Sequence, residues 1–99
     1  MKLLDVIAAE CVYVLEGPYK QTPSSVARLV SAAVGHAAID PENGPALLRA
    51  LDLYSTAGMD FADAYVVARA EGAGVGEIVG FDRFDAKLRG RTAVRRIDP

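Results

Sequence analysis

The sequence predicts an α/β domain built on a mainly parallel sheet. Three observations carry that reading. Apolar residues recur at helical spacing in four separate segments. Short apolar runs such as "EIVGFD" lie among them, and Gly and Pro fall mostly at the joints. Helical segments interleaved with short strands are the pattern that places helices against a parallel sheet.

The elements follow in order. "DVIAAECVYVLEG" reads as a helix from about Val6 to Glu16, with Asp5 as its capping residue and Gly17 as its stop. "TPSSVARLVSAAVGH" has Thr22 at the N-cap and Pro23 at the first helical position, where the missing N–H costs nothing. Val26, Leu29, Val30 and Ala33 form the expected buried stripe of that helix. "HAAID" reads as a short edge strand ended by Pro41. "PENGPALLRALDLYSTAG" is a third helix, with Leu47, Leu48, Leu51 and Tyr54 inward, Arg49 and Asp52 outward and Gly58 as its C′ residue. A fourth helix spans about Phe61 to Glu71, followed by the turn "GAGVG", the strand "EIVGFD" and a last strand around Thr92 to Ile97. The Gly-rich turn follows a helix and precedes a strand, the reverse of a phosphate-cradling loop, so it reads as a connector.

Composition bounds the class. At 99 residues, 52% hydrophobic and 24% charged, the chain is one globular domain and not a disordered segment. No stretch approaches the roughly 18 apolar residues of a membrane span. Asp5 and Glu10 interrupt any secretory leader. The single Cys11 cannot form an internal disulfide and fits a reducing cytoplasm; it reads as a core residue. The net charge of −2 hides an asymmetry, because Arg83, Lys87, Arg89, Arg91, Arg95 and Arg96 are gathered with one acid, Asp85, at the C-terminal end. That end either faces an anionic partner or is a solvated surface.

Four acids could carry chemistry: Glu10, Asp60, Asp63 and Asp82. Asp60 and Asp63 head the fourth helix in "MDFADAYVV". One reading makes them a helix cap and a favourable charge on the helix dipole. The other notes that helix N-termini and strand C-termini of a parallel sheet gather at one edge, where ligands bind. Asp82 ends the strand "EIVGFD", and so shares that edge with Asp63. Glu10 is the only charge between Asp5 and Glu16, and is either a solvent-facing position or a third member of the cleft. Three carboxylates crowded together need a cation between them. An all-oxygen set selects Mg²⁺, or Mn²⁺, over zinc, for which one His and one Cys are too few. His36, beside Gly35, reads as a surface residue. A carboxylate-held Mg²⁺ can activate water and steady a phosphoryl group, and Arg83, Lys87, Arg89 and Arg91 could hold an RNA backbone.

With these residues on the page, the chain resembles the PIN-domain family, in particular the VapC-like toxins of toxin–antitoxin pairs. The stretches that carry the resemblance are "DVIAAECVYVLEG", "LLRALDLYSTAGMDFADAYVVARAEG" and "IVGFDRFDAKL", which follow the family order of acids from about Asp5 to Leu88. The resemblance implies a three-layer PIN-like fold and a Mg²⁺-dependent ribonuclease, dimeric and inhibited by a cognate antitoxin. It implies that Glu10, Asp63 and Asp82 are metal-binding catalytic acids, with Asp60 and Asp85 auxiliary. One departure is large. The family opens with a strand ending in an Asp, within a "VDTN"-like motif, and no such motif is present here. The chain therefore reads as a single domain over residues 1–99 lacking the first strand–helix unit, roughly 30 residues. A start codon upstream of Met1, a degenerate copy, or strand pairing with neighbouring chains would each account for this, and the first is the expected one.

The leading expectation is a toxin-type endoribonuclease, weak or inactive as encoded because the first metal-binding Asp is absent. The alternative is a non-catalytic PIN-like protein that binds an antitoxin-like partner through its early helices. A phosphoryl-accepting receiver or phosphatase also clusters Asp residues, but this chain lacks an Asp after a first strand with matching Lys and Ser/Thr groups.

Overall fold

The computed structural model describes residues 1–80 and 82–99. Local chemistry sets most helix ends. Helix α1 spans Asp5–Glu16, α2 Pro23–Val34, α3 Gly44–Thr56 and α4 Phe61–Ala73. The Thr22 hydroxyl accepts a hydrogen bond from the Ser25 amide at 3.2 Å, and Asn43 Oδ1 accepts one from the Ala46 amide at 3.1 Å. Each cap satisfies a first-turn donor that has no partner inside its helix. Gly58 follows α3 at φ +70° and Gly74 closes α4 at φ +71°, left-handed conformations that cost glycine little.

Helix α1 starts differently from the expectation. Leu4 stands at its N-cap with no side-chain cap, and Asp5 is already helical. The Asp5 amide instead donates to Glu42 Oε1 at 3.0 Å, so an acid distant in sequence caps the helix. The Asp5 carboxylate accepts a hydrogen bond from the Tyr65 hydroxyl and lies 3.7 Å from Arg69. Asp5 thereby ties the start of α1 to the middle of α4.

The helices share one core. Val12, Val26, Leu47, Leu51, Leu53, Phe61 and Val67 are its largest fully buried side chains, each worth about 1.5–3 kcal/mol against exposure. Helices α3 and α4 form an antiparallel hairpin across the short Ala57–Asp60 connection, with the Tyr54 and Phe61 rings edge to face at 6.1 Å. The radius of gyration, 13.3 Å, matches the roughly 13 Å of a compact domain this size. The stripe of α2 is Val26, Val30 and Val34, and Leu29 and Ala33 face solvent instead. Leu48 of α3 is also exposed, its expected place taken by Ala50 and Leu53. Cys11 is exposed too, at the margin of the α1 face that buries Ala8 and Val12, which corrects its assignment to the core.

The strands are shorter and less connected than the sequence implied. Strand β1 is Lys2–Leu3, β2 Asp40–Pro41, β3 Glu77–Val79 and β4 Arg95–Ile97. All pairing is parallel, β1 with β2 and β3 with β4, but the pairs form two separate sheets. The α/β class and the parallel sense hold, whereas a single sheet is not formed among the described residues. Strand β2 ends at Pro41, as expected, but of "HAAID" only Asp40 belongs to it. The expected strand through "EIVGFD" stops at Val79, and its Phe81 lies outside the described residues. A four-residue helix, α5 (Asp85–Leu88), was not foreseen, because one turn is too short to show a period. No helix among the described residues is long and apolar enough to cross a membrane.

Candidate functional site

The site is built around the turn from α3 into α4. Asp60 is the N-cap of α4 and accepts a hydrogen bond from the Ala62 amide at 3.2 Å. Tyr13, reaching over from α1, donates its hydroxyl to Asp60 Oδ2 at 3.2 Å and accepts from the same Ala62 amide at 3.2 Å. Asp60 therefore does capping work, and the phenol of Tyr13 completes the cap. A parallel contact lies nearby, where the Tyr54 hydroxyl donates to Glu16. Burial first, and then the Glu16 hydrogen bond, push the Tyr54 phenol well above its ordinary value. The Tyr13 phenol is raised chiefly by burial, an effect that the Ala62 amide partly offsets.

Asp63 sits in the first turn of α4, half-buried. Its carboxyl is raised above the usual range, first by burial, then by the negative charge of Asp60 and then by that of Asp82. Lys87 opposes the shift. Asp63 and Asp82, far apart in sequence, are thus brought within electrostatic reach. Lys87, on α5, reaches the turn before α4 through its bond to the Gly58 carbonyl at 2.9 Å. Like charges disfavour each other's ionisation, which is how Asp60 and Asp82 add to the effect of burial on Asp63.

Glu10 is not part of this group. It is exposed on α1, and the charges that act on Asp63 are those of Asp60, Asp82 and Lys87. Among the described residues, no three His, Cys, Asp or Glu side chains are arranged so as to hold a metal ion. As arranged, the donors do not complete a Mg²⁺ site, which takes near-octahedral oxygen geometry. Asp85 is engaged elsewhere: it accepts a hydrogen bond from Arg96 Nε at 3.0 Å, which lowers its carboxyl below the usual range. Arg96, its side chain only 6% exposed, also contacts Asp98 at 2.9 Å and the Gly80 carbonyl at 2.6 Å. His36 is exposed, as expected, and its Nδ1 accepts from the Ala38 amide at 3.0 Å.

The basic segment divides into two kinds of residue. Lys87 donates to the Gly58 carbonyl at 2.9 Å, and Arg91 donates to the Thr56 carbonyl at 3.3 Å. Both satisfy carbonyls at the end of α3, where positive charge is favoured. Arg95 pairs with Glu77 at 3.1 Å. Arg83 and Arg89 are exposed and make no side-chain hydrogen bond or ion pair among the described residues. A cleft of about 550 Å³ lies at the other end of the hairpin, lined by Asn43, Ala46, Arg49, Arg69 and Glu71, away from the acids at the head of α4.

Sequence reasoning missed Tyr13, Glu16 and Tyr54. For Tyr13 and Glu16 the available signal was their spacing on α1, since residues three apart share a helix face; Tyr54, on α3, was read only as an inward residue. Comparison with protein-family models, with curated proteins and with solved structures finds no match for this chain.

Proposed function

We propose that this chain is a PIN-like domain of the VapC toxin type that retains part of a metal-dependent ribonuclease site and is weak or inactive as encoded. The observation that supports this reading is that the charges of Asp60, Asp82 and Lys87 all act on the Asp63 carboxyl, with Lys87 fixed on the Gly58 carbonyl at 2.9 Å. Two carboxylates at the open end of an α/β layer are suited to binding a hard cation near a phosphodiester. Their number is what limits the activity. With Asp60 used as a cap and Glu10 apart, Asp63 and Asp82 are too few donors to hold Mg²⁺ or Mn²⁺ firmly. The two unjoined parallel pairs also suit a three-layer fold that lacks an inner strand, because parallel strands are normally found within larger sheets covered on both faces. Arg83 and Arg89, free of internal partners among the described residues, are the side chains that would meet an RNA backbone.

A second reading has its own support. Val6, Ile7 and Val14 of α1 are 63%, 49% and 43% exposed, an apolar face on an early helix. On this reading the domain is non-catalytic and α1 binds an antitoxin-like partner. One experiment separates the two. RNA is incubated with the purified chain at high enzyme concentration, with Mg²⁺, with Mn²⁺ and with EDTA, beside Asp63→Asn. The first reading expects any cleavage to be slow and to be abolished by both EDTA and Asp63→Asn, so cleavage surviving either treatment rejects it. The binding role is selected where no cleavage occurs with either ion and calorimetry detects no Mg²⁺ binding.

A further inference from the structure

Asn43, the only asparagine of the chain, is followed directly by Gly44. Such a pair carries its own chemistry, because the glycine nitrogen can attack the side-chain amide with no neighbouring Cβ in the way. The fold controls that attack. The Gly44 N–H opens α3, where first-turn donors lack an intrahelical acceptor, and no acceptor meets it among the described residues. Asn43 itself is clamped at two points. Its Oδ1 accepts from the Ala46 amide at 3.1 Å, and its backbone carbonyl accepts from the Leu47 amide at 3.0 Å. These bonds hold its ψ at 81°, and tetrahedral geometry at Cα then places the Gly44 nitrogen nearly opposite Cβ across the Cα–C bond. Attack needs the reacting atoms aligned at about 3–3.5 Å. The closed cap keeps them apart, and the rotation that would join them breaks the clamp.

We propose that Asn43 is a deamidation site gated by the cap of α3, closed in the folded turn and reactive whenever that turn opens. In the open turn the Gly44 nitrogen gives up its proton and bonds to Asn43 Cγ. The Cγ–Nδ2 bond breaks, and Nδ2 leaves as ammonia with a proton replacing the one lost, so a five-membered imide remains. Water then adds to one imide carbonyl and breaks its bond to nitrogen. Opening at the side-chain carbonyl gives aspartate at position 43, and opening at the backbone carbonyl gives isoaspartate. One water is consumed and one ammonia released. The products differ in consequence. Aspartate caps a helix as well as asparagine and suits the positive end of its dipole. Isoaspartate adds a methylene to the main chain and shortens the side chain, so the Ala46 amide loses its acceptor. The change falls at a junction, since the adjacent Glu42 donates its amide to the Leu3 carbonyl and caps α1 through the Asp5 amide. This inference is independent of the nuclease reading.

The test ages the wild-type chain at mildly alkaline pH, folded and in guanidinium chloride. The peptide containing Asn43 is followed by mass spectrometry, with the two products separated by chromatography. The expected result is conversion in the unfolded chain and a folded-state rate lower by roughly tenfold or more, the ratio equal to the open fraction read from amide exchange of Ala46 and Leu47. An unfolded chain that does not convert overturns the proposal. So does a folded chain that converts as fast as the unfolded one, or a ratio that departs from the exchange-derived fraction in either direction. Asn43→Asp is expected to melt with the wild type, and the purified isoaspartate form to melt lower. An isoaspartate form as stable as the wild type contradicts the role given to the cap. The rate comparison uses the wild-type chain alone, so it decides the matter whatever the variant does.

Discussion

Lys87 Nζ donates to the carbonyl oxygen of Gly58 at 2.9 Å, which fastens the basic C-terminal segment to the turn that leads into α4. A lysine expected at an RNA surface is thereby a brace for the turn into α4, and Arg91 does the same two residues earlier, on the Thr56 carbonyl.

The basic residues should consequently separate in a binding experiment. Arg83→Ala and Arg89→Ala are expected to weaken RNA binding, each lowering the salt-dependence slope by about 1, with the melting temperature unchanged. Lys87→Ala and Arg91→Ala should lower the melting temperature. Fluorescence anisotropy at several salt concentrations, beside thermal melts, reads both effects. Equal loss of stability in all four variants would contradict the division.

The cap at the head of α4 should be measurable as a unit. Tyr13→Phe removes the hydroxyl that meets both Asp60 and the Ala62 amide, and should cost about 0.5–1 kcal/mol in urea denaturation. Asp60→Ala should cost about 1 kcal/mol. The double variant should lose less than the sum, since the two side chains share one amide.

Acid should weaken the joint between α3 and α4. Glu71 accepts from Arg49 Nε at 2.8 Å, and the Arg49 hydrogen bond holds its carboxyl below the ordinary value of 4.5. A carboxylate lowered in the folded state lends stability that is complete above its unfolded value and is lost as pH falls through the folded one. Stability should thus decline as pH drops below about 4.5, and Glu71→Gln should flatten that part of the profile. An unchanged slope in the variant would show that Arg49 does not act through Glu71.

Asp63 should behave in the opposite sense. Its folded value lies above the ordinary 3.8, so the folded state holds the proton more tightly and stability falls as pH rises through that interval. Asp63→Asn should raise the melting temperature at pH 7 while removing any activity, the usual cost of keeping a charge where function needs it.

What the sequence revealed and what it concealed follow from the range of each interaction. The start of α2 and the Gly58 stop were legible because capping involves neighbours within four residues, as Thr22 with Ser25 shows. Asp5 was misread as a cap because its partners, Glu42, Tyr65 and Arg69, come from three other places in the chain. Leu29 fits the helical period as well as Val34 does, and only the position of the neighbouring helices decides between them. The acids divided likewise. Sheet topology pointed to Asp63 and Asp82 together, while the separate duty of Asp85 depends on Arg96, which pattern alone cannot assign.

The most direct measurement is the titration of the Asp63 carboxyl, followed by carbon-detected nuclear magnetic resonance in the wild type and in Asp82→Asn. The account expects Asp63 to titrate above 3.8 in the wild type and to move part of the way back in the variant, burial and Asp60 keeping the remainder. An Asp63 that titrates at its ordinary value, or one that ignores the loss of Asp82, would mean the two carboxylates do not share a site.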